Sequence, residues 1–193
     1  MITKAQSLDN FIDKSLYEKN KGYYQRKMEF GRRGDFITSP GISKLFSEMI
    51  AIWVVSFWEN LNKPEKINLV ELGAGNGELI EVLINTLNKL EIVKDKFKFF
   101  IFEKSMSLKK LQKKKFSKKV KWLDNFDKLP NSPTIFLANE FFDALPIKQF
   151  IKINEEWYEN FVLLNKSGKF SLEKKKVTKK KMEKICNEGI DEN

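Results

Sequence analysis

The sequence predicts an α/β protein: a Rossmann-like parallel sheet, with a helical extension before it and a β-hairpin after its fourth strand. Three observations carry that reading. The apolar run from Ile67 to Leu72 meets three glycines at alternate positions, Gly73, Gly75 and Gly77, and then Leu79, Ile80, Leu83, Ile84 and Leu87 at helical spacing. Three more short apolar runs follow, Phe97 to Glu103, Val120 to Asn125 and Thr134 to Ala138, each leading into acidic or amide residues. Finally, two partly alternating runs between Ile147 and Leu164 flank Asn154-Glu155-Glu156, which is a hairpin signal.

Taken in order, residues 4–21 place Leu8, Phe11, Ile12, Ser15 and Leu16 on one face of a helix, with Thr3 and Gln6 spaced for a capping box. Gly22-Tyr23-Tyr24 and the stretch from Gly31 to Pro40 read as a loop, unusually rich in aromatic and charged residues. Ser39 and Pro40 suit the start of the next helix, but capping does not account for Gly34-Asp35-Phe36. Residues 41–61 form the clearest helix, with Ile42, Leu45, Phe46, Met49, Ile50, Trp53, Val54, Phe57, Trp58 and Leu61 in a wide stripe that reads as core packing. A helix over 78–90 and a Lys-rich helix over 108–116 separate the strands. Three regions are therefore expected: a helical extension over 1–62, a Rossmann-like core with the hairpin over 63–165, and a Lys-rich mobile tail over 166–193.

The glycine turn defines a ligand class. Glycines let a ligand lie against bare backbone above the strand's carboxyl end. The spacing is G-x-G-x-G, and Glu71 and Glu78 stand close on either side. Two carboxylates there oppose a pyrophosphate, whereas S-adenosylmethionine has no phosphate and carries a sulfonium and an ammonium. A methyl donor is thus preferred to NAD or FAD, with a purely structural turn as the plain alternative. Ligands of open α/β sheets lie across the ends of adjacent strands, so Glu103 is placed for the hydroxyls of a ribose. Asp124 and Asn125 could receive an adenine amino group, or simply form a turn. Asn139, Glu140 and Asp143, set among aromatics just past the fourth strand, fall on the same rim.

Composition removes several alternatives. With 193 residues, 41% hydrophobic and 13% aromatic, the chain suits one globular domain of ordinary size. A formal charge of +10 is carried almost wholly by Lys, with Arg only at 26, 32 and 33, so nucleic acid is an unlikely partner. Cys186 is the single cysteine and histidine is absent, which excludes an intrachain disulfide and the commonest metal ligand and general base. No stretch reaches the roughly 18 apolar residues of a membrane span, and no signal-peptide pattern opens the chain. A reducing, cytoplasmic setting is expected.

Gly34-Asp35-Phe36 with Thr38-Ser39-Pro40, the run from Val70 to Gly77, and Asn139-Glu-Phe-Phe-Asp-Ala-Leu-Pro146 occur in that order. Together they resemble the MidA-type S-adenosylmethionine-dependent methyltransferases, a family that includes a mitochondrial protein-arginine methyltransferase assisting assembly of respiratory complex I. The resemblance covers roughly Tyr23 to Leu164. It implies a class I methyltransferase sheet, S-adenosylmethionine as cofactor, and an arginine of a protein partner as acceptor, a subunit of complex I among the candidates. It implies that Glu71, Gly73, Gly75, Gly77 and Glu103 contact the cofactor, and that Asp35, Asn139, Glu140 and Asp143 close the pocket near the methyl group; Gly34, Asp124 and Asn125 complete the candidate cofactor contacts. It also makes the mitochondrial matrix the alternative compartment. Family members continue beyond the hairpin, so the sheet is expected to be incomplete here. One rival reading is a non-catalytic, cofactor-binding assembly protein; a second is a nucleic-acid methyltransferase, suggested only by the lysines and by Asn139-Glu-Phe-Phe.

Overall fold

Every residue of strand β2, Ile67–Leu72, is buried, and that strand is the axis of the parallel sheet. A computed structural model describes residues 5–25, 41, 43–165 and 167–188, which form two compact units, 1–23 with 144–193 and 24–143. Thr3 lies outside the described residues.

In the 24–143 unit, β2 is flanked on one side by β3, Phe97–Phe102, and on the other by β5, Thr134–Leu137; β4, Val120–Leu123, lies beyond β3. All three pairings are parallel, with Val70 level with Phe100 and Phe136. Alternation along β2 sends Ile67 and Leu69 to one face, and Val70 and Leu72 to the other. The first face packs with helix α2, Lys44–Asn60, and helix α3, Glu78–Leu87, in the larger core. The second gathers Val70, Leu72, Phe100 and Leu123, with Phe141 against them. Buried Asn68 anchors the approach to β5, donating to Pro130 O at 3.0 Å and Thr134 Oγ1 at 3.1 Å. Helix α4, Met106–Phe116, joins β3 to β4, with the Ser105 hydroxyl accepting the Leu108 N–H at its start.

The stripe of α2 corrects one expectation. Only Ser47, Ala51, Val54 and Trp58 are buried, whereas Leu45, Met49, Trp53, Phe57 and Leu61 are exposed, Trp53 by 47%. An apolar stripe this wide spans more of the helix than one packing partner covers, so α2 turns one row, Ser47, Ala51, Val54 and Trp58, to the core and leaves a row four residues apart outside.

The other unit is an antiparallel sheet centred on β7, Glu156–Leu164. Strand β8, Phe170–Val177, takes one edge; β6, Phe150–Ile153, and the two residues of β1, Gln6–Ser7, share the other. Asn154 and Glu155, with φ of 47° and 64°, form the tight turn between β6 and β7, and this left-handed pair suits a right-twisted hairpin. Helix α1, Leu8–Tyr17, is shorter than the sequence suggests and belongs with this sheet, through the Tyr17 hydroxyl bond to Ala144 O at 3.0 Å. Buried Glu159 accepts from Lys181 at 2.9 Å and Lys148 at 3.4 Å.

A further correction concerns residues 166–193, expected as a mobile tail. They contain β8 and helix α5, Lys179–Glu188. Among the described residues of this segment only Val177 and Met182 are buried, so it carries no apolar period to read. The strand is held by its backbone ladder to β7, by the Lys176–Glu156 pair, and by Lys175 over the Phe161 ring at 4.2 Å.

Candidate active site

Glu71 stands one residue before the end of β2, on the face of Ile67 and Leu69 that α3 covers. It is 4% exposed; the Ile80 backbone N–H donates to its carboxyl, and its Oε2 is buried without a hydrogen-bond partner. Burial pushes this carboxyl up to about 8; the Ile80 N–H opposes, the Glu103 charge adds, and Lys115 opposes.

The chain then enters the glycine turn, where Gly73, Gly75 and Gly77 have φ of 65°, 54° and 79°. The Gly73 N–H donates to Phe102 O at 2.9 Å, tying the turn to the end of β3. A Cβ on Gly73 would stand 2.7 Å from the Phe141 ring, and one on Gly77 would stand 2.5 Å from the Phe116 ring. Both positions thus demand glycine twice over, for left-handed backbone and for space.

Glu103 follows β3 directly. Its Oε1 accepts the Ser105 N–H at 2.8 Å and its Oε2 accepts from Gln112 Nε2 at 3.2 Å. Burial raises its carboxyl above the ordinary range, against the pull of those bonds and of Lys109. Gln112 is fully buried in α4; the same Nε2 donates to Gly75 O at 2.8 Å, and its Oε1 accepts the Trp122 indole N–H at 2.9 Å. One amide therefore links the carboxylate, the glycine turn and β4.

Past β5, Glu140 takes a left-handed φ of 49°, and both it and Asp143 are exposed, with Asn139 half-buried. Burial pushes the hydroxyl of half-buried Tyr24 up, and the nearby charges of Asp143, Glu103 and Glu140 add to it. Its backbone carbonyl accepts the Ser105 hydroxyl at 2.8 Å, so Tyr24 is held beside the residue that also fixes Glu103.

The structure thus brings Glu71, the three glycines and Glu103 together, with Glu140 and Asp143 gathered around Tyr24. Asp124 and Asn125 follow β4, but Asp124 is exposed and paired with Lys109 at 2.8 Å, which holds its carboxyl below the usual range. Asn125 leads into the short 3-10 turn Phe126–Lys128 and makes no side-chain cap bond to it. Gly34 and Asp35 lie outside the described residues. Sequence reasoning missed two residues. Tyr24 had a signal, an aromatic pair in a glycine-flanked loop; Gln112 was one polar residue among lysines and gave none.

The orphaned Oε2 of Glu71, the second carboxylate at Glu103 and the bare glycine backbone suit an adenosyl ligand with a cationic end and oppose a diphosphate. Among the described residues no group of three or more His, Cys, Asp or Glu could hold a metal ion, and no helix is long and apolar enough to cross a membrane.

A parallel sheet whose first strand ends in an acid-flanked glycine turn defines a Rossmann-like α/β protein of the kind that binds a nucleoside cofactor without a pyrophosphate. The family model agrees: residues 49–191 match that of the S-adenosyl-L-methionine-dependent methyltransferases, and the chain belongs to that family. The chain is 30% identical over 181 residues to the mitochondrial protein arginine methyltransferase NDUFAF7 of Xenopus laevis, covering 81% of this chain and 41% of that protein. It is 33% identical over 194 residues to the NDUFAF7 homologue of Caenorhabditis elegans, covering 91% and 46%. A COG1565 superfamily member from Burkholderia thailandensis, solved with S-adenosyl-homocysteine bound, superposes with a TM-score of 0.75 at 26% identity, covering 97% of this chain and 49% of that one. The match therefore spans less than half the length of these relatives. The curated relatives are mitochondrial by name, which lends nothing to the cytoplasmic expectation.

Proposed function

We propose that this chain binds S-adenosylmethionine at the glycine turn and directs a methyl group to an arginine of a protein partner. The observation that carries the reading is the pair of buried carboxylates, Glu71 and Glu103, at a glycine turn where Lys115 is engaged by Glu81. The names of the relatives support the protein-arginine acceptor. A subunit of respiratory complex I as that partner, and the mitochondrial matrix as its setting, are the finer parts of this proposal.

Gly73 and Gly75 would give the cofactor bare backbone to lie on, Glu71 would face its cationic end, and Glu103 would receive its ribose hydroxyls. The cofactor supplies an electrophilic methyl group when bound. The chain's own task is alignment and electrostatics. Glu140 and Asp143 would hold an acceptor guanidinium by paired charge-assisted hydrogen bonds. Such contacts localise its charge away from the attacking nitrogen, and no histidine is required. Tyr24, among the same carboxylates, would border the acceptor.

Calorimetry of the full chain with S-adenosylmethionine and with NAD tests the cofactor assignment: binding is expected for the first alone, and a preference for NAD overturns it. Incubation with radiolabelled S-adenosylmethionine in a lysate tests transfer. Glu140→Gln is expected to reduce labelling of protein by roughly a hundredfold while cofactor affinity stays within about twofold. Unchanged labelling removes Glu140 from the site.

A further inference from the structure

We infer that Glu71 stores a proton in the free protein and releases it to solvent when the cationic methionine end of the cofactor settles against the glycine turn. The inference rests on the cofactor reading above and adds to it a linkage between binding and pH.

The geometry around Glu71 is unusual for a carboxylate. An ionised carboxylate accepts about four hydrogen bonds, and a buried one with fewer is costly. Here one backbone donor, the Ile80 N–H from α3, is present, and Oε2 has nothing. Across the sheet its neighbours are Ile101 on β3 and Leu137 on β5, both apolar and buried. Among the described residues, two charged groups act on it. Glu103, from the end of β3, repels the ionised form; Lys115, from α4, favours it, but its ammonium is engaged by Glu81 at 2.7 Å and by Asn76 O at 3.4 Å. With burial the largest influence, the carboxyl lies at about 8.

A neutral carboxyl with a buried, unpartnered oxygen behind a glycine turn is a poor partner for a cation until it loses its proton. A sulfonium or ammonium brought next to it supplies the missing charge and favours the ionised form. The balance is simple: the Glu71 O–H bond breaks, its proton passes to buffer base, and the carboxylate remains paired with the ligand's cation. From a value of about 8, roughly nine in ten free molecules hold this proton at pH 7. Affinity should therefore rise up to tenfold per pH unit below 8 and level off above it.

The test is calorimetry of S-adenosylmethionine binding to the full chain at pH 7 in phosphate and in Tris, whose different ionisation heats report the protons exchanged. About one proton released per cofactor is expected for the wild type, and none for Glu71→Gln, whose affinity should no longer depend on pH between 6 and 8. S-adenosyl-homocysteine keeps the ammonium and lacks the sulfonium. Release with both ligands assigns the ammonium as the trigger, and release with S-adenosylmethionine alone assigns the sulfonium. Should Glu71→Gln fail to fold, infrared difference spectra of the wild type give the same answer, through loss of a protonated-carboxyl stretch on binding. Binding without proton release, or equal release from Glu71→Gln, overturns the inference and leaves the cofactor reading standing. Absence of any binding overturns that reading instead.

Discussion

Alanine at position 77 is expected to destabilise the 24–143 unit by about 4 kcal/mol, combining left-handed strain of ~1–2 kcal/mol with overpacking of ~1–3 kcal/mol. Gly77 has φ of 79°, so any side chain there is strained before it touches a neighbour. The added Cβ would also stand 2.5 and 2.6 Å from two atoms of the Phe116 ring. Phe116 is 3% exposed, in the same core as α3 and β3, and cannot swing aside without opening that core. The two contributions separate in a double-mutant cycle. Gly77→Ala in a Phe116→Ala background should cost only the backbone strain, so the pair should couple by the overpacking contribution, ~1–3 kcal/mol. Urea denaturation followed by tryptophan fluorescence measures it, since Trp53, Trp58 and Trp122 all belong to this unit. Additive costs would show that the ring does not crowd the turn.

The second large effect is a loss of stability as pH rises. The Glu71 carboxyl lies at about 8 in the folded chain against 4.5 for the free group, so between those values the folded state holds a proton that the unfolded state has released. Stability then falls with rising pH across that window, by roughly 5 kcal/mol in total at about 1.4 kcal/mol per unit. Glu103, also raised by burial, acts in the same direction. Urea midpoints of the ligand-free chain at pH 5, 6.5 and 8 should decline in that order, and Glu71→Gln should flatten most of the slope. A flat wild-type profile would mean that Glu71 reaches water or a partner. Together with the binding linkage, this predicts that cofactor protects the fold far more at pH 8 than at pH 5.

The glycine turn and the strands beside it were legible because a buried central strand leaves a continuous apolar run, and because only glycine suits the backbone that follows. Glu71 and Glu103 could be placed on one rim because parallel strands in register bring their carboxyl ends together. What sequence could not show was how deep that rim lies. Burial of Glu71 depends on α3 covering its face, and the bonds of Glu103 depend on Gln112 from a helix whose lysines promised only a solvated surface. The stripe of α2 was visible, but its 3.6-residue period says nothing about which half meets the sheet. Residues 170–177 were unreadable for a different reason: an exposed strand held by backbone hydrogen bonds needs no apolar alternation.

That strand has a consequence for the behaviour of the protein in concentrated solution. β8 lies outermost on its sheet and carries Lys174, Lys175 and Lys176 in succession, with every residue but Val177 exposed. Among the described residues no strand pairs with its other edge, and two such edges approaching each other would bring the lysines of both copies close together. Like-charge repulsion caps the ladder at β8, and colloidal solubility should drop sharply if those lysines are acetylated or if high salt screens them.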